Sequence, residues 1–229
     1  SEELGLATMV VPLVLAVECS AALAAVLAAI VGVAIARTQV VPWDSREGCG
    51  RHHQREKAVV YAGSFDPFHA GHLEVLRAVA RWHPGAALLV VVGFNASKKY
   101  AVSPEERCKI IRSACAADPE LSRCAIEAHA VTGFVWRFAA QKGAGLMYRG
   151  IRTWAKDGGA ERFLLTLNTL GPLLLGLRLP IPTVLVTAPP QTTHISSTLI
   201  RDRASKGLTL GGLVPPGTEP QCQRLYARG

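Results

Sequence analysis

The sequence predicts an α/β protein: a Rossmann-like doubly wound parallel sheet, preceded by an apolar N-terminal helix. Three observations predict it. From Ala58 onward, short apolar runs alternate with segments of helical spacing. The first of those runs stops at Gly63, turns through Asp66-Pro67 and enters a helix, which is a strand–loop–helix unit. Finally, residues 19–36 carry no charge at all.

The elements follow in order. Ala58–Tyr61 reads as a strand. His72–Trp82 carries Leu73, Val75, Leu76, Val79 and Ala80 at helical spacing. Ala87–Val92 is a continuous buried-type strand. Ser103-Pro104-Glu105-Glu106 joins an N-cap serine, a proline at the first helical position and a glutamate at the third, so a helix should run from there to about Ala117. Arg123–Glu127 reads as a short strand, Phe134–Gln141 as a short helix and Leu146–Tyr148 as a strand. A helix over Ala160–Leu170, a strand over Thr183–Thr187 and a helix over Ser197–Ser205 come next. A last helix covers Glu219–Ala227.

Residues 1–36 form a separate segment, an anchor or targeting element. Cys19 to Ala36 is near the length that spans a bilayer. Arg37, Arg46, Arg51, Arg55 and Lys57 all follow it, which places the rest of the chain on the cytosolic side if it is a transmembrane helix. Ala34-Ile35-Ala36 also resembles a small-x-small cleavage site, the mark of a leader removed after targeting to an organelle such as a plastid or mitochondrion. Residues 37–57 read as a polar linker, and 58–229 as the domain that carries chemistry.

The 229 residues suffice for one well-buried α/β domain plus an appendage. The net charge of +8 fits either a solubilising surface or an anion site. No Lys/Arg-rich run with interleaved aromatics appears, so nucleic acid is not an expected partner. None of the six cysteines makes a C-x-x-C pair, and no metal site in the protein is expected.

In an open parallel sheet, ligands bind beyond the carboxyl ends of the strands, and each chemistry-bearing motif falls at such an end. After the first strand comes Gly63-Ser64-Phe65-Asp66-Pro67-Phe68, then His69 and His72. Backbone N–H groups and the helix dipole there favour an anion, and the histidines add donors aimed at the same place. After the second comes Ser97-Lys98-Lys99, with a lysine placed to meet a phosphate. Arg149-Gly150-Ile151-Arg152 leaves a buried strand, where a guanidinium needs a partner and phosphate is a natural one. Thr192, Thr193, His194, Ile195, Ser196, Ser197 and Thr198 open another helix, with more hydroxyls than one cap requires.

These motifs, in this order, resemble the phosphopantetheine adenylyltransferase family of nucleotidyltransferases with a His-x-Gly-His signature. The likeness runs from about Val59 to Ala227 and includes Glu161 through Asn168 and Gly212-Leu213-Val214-Pro215. It implies transfer of AMP from ATP to 4'-phosphopantetheine, giving dephospho-coenzyme A and pyrophosphate. It implies catalytic roles for His72, Lys98 and Arg149. ATP contacts are implied at Ser64, Phe65, His69, His72, Gly150, Ile151, Arg152, Glu161 and Thr192 through Thr198. Acceptor contacts are implied at Ser64, Lys98, Val135, Arg149 and Asn168. Mg2+ would ride on the ATP phosphates, and the assembly would be a homohexamer. Two departures stand out. Residue 64 is serine where many members have threonine, and Trp154–Glu161 is one residue longer than usual. The His-x-Gly-His element alone would also suit a nicotinate or nicotinamide mononucleotide adenylyltransferase, or a cytidylyltransferase.

Overall fold

The computed structural model describes residues 18–30, 32, 39–44, 56–93 and 99–227. The chain divides into two units, Ser1–Arg37 and Thr38–Gly229. In the first, residues 18–30 are helical. No helix among the described residues is long and apolar enough to cross a membrane. The expected span over 19–36 is therefore seen only as this shorter helix, and residues 31 and 33–36 lie outside the described set.

The second unit is built on six parallel strands: β1 (Gln39–Pro42), β2 (Ala58–Gly63), β3 (Ala87–Gly93), β4 (Ile126–Val131), β5 (Leu146–Ile151) and β6 (Thr183–Thr187). Their order across the sheet is β1-β6-β5-β2-β3-β4. The chain steps outward from β2 through β3 to β4, then crosses back to β5 on the other side of β2. The reversal lies between β2 and β5, and a crevice opens at the carboxyl ends of such a pair.

Helices α1 (Ala70–Trp82), α2 (Pro104–Ala117), α3 (Val135–Gln141) and α4 (Trp154–Gly176) connect successive strands, while α5 (Ser197–Ser205) and α6 (Glu219–Tyr226) follow β6. Right-handed crossovers that step in opposite directions place their helices on opposite faces of the sheet. The core divides accordingly. Val59, Tyr61, Val90, Val92, Tyr148, Val184 and Val186 pack with residues of α1, α2, α5 and α6 on one face. Val60, Ala62, Leu89, Val91 and Met147 pack with Trp136 and Ala139 of α3 on the other. This is the period-two alternation of strands buried on both sides.

Several boundaries differ from the sequence reading. Residues 39–42, expected in the linker, form the edge strand β1, and Val41 pairs with Val186. β4 begins at Ile126 rather than Arg123, because Leu121–Arg123 forms a single 3-10 turn. The Asp118 carboxylate holds that turn by accepting from the backbone N–H groups of Glu120 and Leu121 at 3.0 and 2.9 Å. α4 is much longer than Ala160–Leu170. It starts at Trp154, where Thr153 caps it by accepting from the Lys156 N–H, and runs to Gly176. The Ser103 cap and Pro104 start of α2 stand where the sequence put them.

Candidate functional site

Beyond the carboxyl ends of β2 and β5 lies a cavity of about 570 Å³. Its floor is the loop after β2. Phe65 takes a left-handed backbone conformation, φ 47°, which is strained for a bulky residue. Its buried ring packs edge-on against Tyr61, Phe68 and His72, with centroids 5.0 to 5.5 Å apart. Gly63 is required beside it, because a Cβ there would stand 2.7 Å from the Phe65 ring. The Asp66-Pro67 peptide bond is cis.

Side chains from three helices grip this loop. The Arg107 guanidinium donates to the Ser64 carbonyl. Arg201 donates to the Asp66 carbonyl, and the Ser197 hydroxyl donates to the Pro67 carbonyl at 3.0 Å. The Asp66 carboxylate accepts from the Tyr226 hydroxyl at 2.9 Å and lies 3.7 Å from Arg201. The Ala70 N–H at the start of α1 donates to the Leu213 carbonyl at 2.9 Å, so the C-terminal segment also supports the helix that carries the histidines.

His69 and His72 stack with centroids 3.6 Å apart and planes 21° apart. The His69 backbone N–H donates to Nδ1 of His72 at 3.3 Å. That bond leaves the proton of a neutral His72 on Nε2, the donor atom available to a ligand. Burial pushes the His69 pKa down to about 3, helped by the nearby Arg152 charge. Burial, and His69 itself, push His72 well below the usual histidine range. Both rings are therefore neutral near pH 7.

On the opposite wall Arg149, leaving β5, is paired with Glu161 of α4. Its Nη2 donates to Oε1 at 2.9 Å and its Nε donates to Oε2. Arg152 is paired with Asp157 of the same helix. Its backbone N–H and Nη2 donate to the carboxylate at 2.8 and 2.5 Å. The Asp157 carboxyl is held below its usual range by that arginine against the opposing effect of burial. Gly150 is required between the two arginines, since a Cβ there would lie 2.9 Å from the Tyr61 hydroxyl.

A second cavity of about 130 Å³ adjoins the first. Phe134, Val135, Met147, Leu164 and Leu167 make it largely apolar, and Asn168 adds an amide. Ala62, Gly63, Ser64, Tyr100 and Arg149 line both cavities, so they form the junction.

The cytidylyltransferase-like family matches residues 60–203 of this chain. Phosphopantetheine adenylyltransferase of Mesorhizobium japonicum is 34% identical over 174 residues, 76% of this chain and 99% of the relative. Its counterpart from Bradyrhizobium sp. is 33% identical over 173 residues, covering 75% and 99%. This chain belongs to the phosphopantetheine adenylyltransferase family. The fold also matches the crystal structure of a bifunctional NMN adenylyltransferase/ADP ribose pyrophosphatase from Francisella tularensis, with a TM-score of 0.52 and 15% identity. That match covers 75% of this chain and spans about half, 52%, of the other.

Ser64, Phe65, His69, His72, Arg149, Gly150, Ile151, Arg152, Glu161, Ser196, Ser197 and Thr198 line the larger cavity. Val135 and Asn168 line the smaller one. Thr192, Thr193, His194 and Ile195 line neither. The Thr192 and Thr193 hydroxyls donate to the carbonyls of Pro189 and Pro190 in a 3-10 turn, and Ile195 is buried in the core. The hydroxyls that open α5 also have protein partners. Ser196 accepts from the Leu199 N–H as an ordinary N-cap, and Thr198 accepts from Arg201 at 3.2 Å. Lys98 lies outside the described residues, whereas its neighbour Lys99 lines the larger cavity. Sequence reasoning did not single out Tyr61, Tyr100, Asp157 or Arg201, which line it too. Arg201 carried a readable signal, since it stands one helical turn beyond Thr198.

Proposed function

We propose that this chain transfers AMP from ATP to 4'-phosphopantetheine, forming dephospho-coenzyme A and releasing pyrophosphate. One observation carries the reading: a cavity lined by histidines and arginines meets a smaller apolar one at Ser64, Tyr100 and Arg149. A nucleotide triphosphate suits the first, and an aliphatic amide arm such as pantetheine suits the second. Their reacting phosphates then meet at the junction.

An oxygen of the acceptor phosphate attacks the α-phosphorus of ATP, and the bond to the bridging oxygen breaks as pyrophosphate leaves. The protein contributes position and charge stabilisation rather than a covalent intermediate. Nε2–H of His72 donates to the α-phosphate as negative charge develops there. Arg149 orients the acceptor phosphate at the junction, and Lys98 supports it. Arg152 and the start of α5 face the leaving phosphates. Ser64 lies between the two substrates.

The donor set does not suit a resident metal. The carboxylates lining the larger cavity are each paired with an arginine: Asp66 with Arg201, Asp157 with Arg152 and Glu161 with Arg149. Mg2+ accordingly belongs to the ATP it accompanies.

An acceptor screen on the full chain with pyrophosphate readout tests the reading. Activity on nicotinamide mononucleotide or a cytidylyl acceptor, without activity on 4'-phosphopantetheine, would overturn it. His72→Ala should lower kcat by about 10²–10³-fold with ATP binding largely kept. Two further parts rest on the resemblance and on the apolar surface. A homohexamer is supported by the exposed Leu174, Leu175, Leu177 and Leu179 at the end of α4, and light scattering checks it. The apolar residues of the N-terminal segment support a role in anchoring or targeting, and sedimentation with membranes after a carbonate wash separates a retained anchor from a cleaved leader.

A further inference from the structure

We propose that Arg107 is a positioning residue for adenylyl transfer, holding two residues of the junction where the cavities meet. Arg107 sits on α2 and is 0% exposed. It makes no ion pair with a carboxylate among the described residues, and its Nη2 has no hydrogen-bond partner. A buried cation left in this state is costly, so the fold gains little stability from it as a charge. Its contacts instead converge on the site. Nη1 donates to the Ser64 carbonyl, and the guanidinium lies over the Tyr100 ring, 4.3 Å from its centroid. Nε is directed at the Ser103 carbonyl at 3.4 Å, which ties the group to the cap of α2.

Ser64 and Tyr100 are two of the five residues that line both cavities. A third, Ala62, has its carbonyl 3.5 Å from Nη1 of Arg149. Two arginines thus grip the junction from opposite sides, Arg149 from β5 and Arg107 from behind the loop. Arg107 lines neither cavity and acts through its neighbours. Ser64 precedes the left-handed Phe65, so a donor fixed on the Ser64 carbonyl sets the peptide plane that enters the strained turn. Small displacements of reacting groups carry large rate penalties, about a hundredfold for 1 Å.

This inference rests on the adenylyl-transfer reading, because turnover is its readout. The full chain carrying Arg107→Met or Arg107→Lys is compared with the native protein. Turnover of ATP with 4'-phosphopantetheine, ATP affinity by calorimetry and far-UV circular dichroism are measured. The expected result is a kcat lower by about a hundredfold in Arg107→Met and by about tenfold in Arg107→Lys, which restores one donor to the Ser64 carbonyl. ATP affinity should move by less than about threefold in both, since the nucleotide's own contacts remain. A kcat within about twofold of native in either folded variant overturns the proposal, and so does an equal loss in both. If Arg107→Met fails to fold, Tyr100→Leu tests the same support from a partly exposed side chain. It should raise the acceptor KM by at least about fivefold, and unchanged kinetics overturn the proposal. Absence of turnover in the native protein overturns the adenylyl-transfer reading, and the role of Arg107 with it. Native-like turnover in the variants overturns that role alone.

Discussion

Arg149 and Glu161 form a two-pronged ion pair across the wall of the larger cavity, with side chains only 16% and 9% exposed. Each had been expected to meet a different substrate. Their pairing means that an incoming phosphate joins an existing charge network rather than a bare cation. Glu161→Ala leaves the guanidinium largely buried without its counter-charge and should destabilise the fold by about 3 kcal/mol. The midpoint of urea denaturation reads that loss, and an unchanged midpoint would show that the pair is replaced by solvent.

The stacked histidines make stability depend on pH. Their folded pKa values lie below the unfolded value of about 6.5, with His69 at about 3. Above pH 6.5 both states are neutral and the contribution to stability is complete. As pH falls toward 3 the unfolded chain binds protons that the folded chain excludes, so stability falls by up to about 1.4 kcal/mol per pH unit for each histidine. Denaturation midpoints at pH 7.5 and pH 5 check this. His69→Gln should reduce the difference and leave the part due to His72, and the same slope in that variant would assign it to other groups.

Gly150 and Tyr61 are coupled by space. Gly150→Ala brings a methyl to within 2.9 Å of the Tyr61 hydroxyl, an oxygen that has no hydrogen-bond partner among the described residues. The substitution should cost about 1–3 kcal/mol through overpacking. Tyr61→Phe alone removes an unpaired hydroxyl and should leave thermal stability equal or higher. Combined, the two should cost less than the sum of their separate effects, which a double-mutant cycle in thermal unfolding measures.

Tyr226, on α6, donates to the Asp66 carboxylate from 160 residues away. Hydrogen bonds to charged groups contribute about 1.5–3 kcal/mol. Tyr226→Phe should lose that much stability in urea denaturation, with a lower kcat because the loop carrying Ser64 and Phe65 loosens. A stability loss with unchanged kcat would confine the contact to folding.

Much of the site was readable in the residues themselves. Gly63 through His72 announced a strand, an anion loop and a helix start, because turn chemistry and helix capping act over a few neighbours. Pro104 after Ser103 marked the α2 boundary for the same reason. The misreadings came where local signals competed with packing. The helix expected over Ala160–Leu170 begins at Trp154 instead and runs through Gly158 and Gly159, with Asp157 bonded back to Arg152. Residues 39–42 read as linker because four residues carry little periodicity, and only pairing with β6 makes them a strand. Thr192 through Ile195, expected together with Ser196 to Thr198 at the ATP phosphates, line neither cavity, because the threonine hydroxyls bond to nearby carbonyls and Ile195 turns into the core.

Periodicity and short-range chemistry therefore settled the parallel α/β class and the His69–His72 loop, since each depends on residues close in the chain, while the family was legible only as a resemblance of motifs spread from Val59 to Ala227. Packing settled the rest. The grip of Arg107 on Ser64, the pairing of Arg149 with Glu161, the hold of Tyr226 on Asp66 and the junction of two cavities all join residues distant in the chain. Their partners are chosen by which faces of the sheet the helices cover, and no local rule specifies that choice.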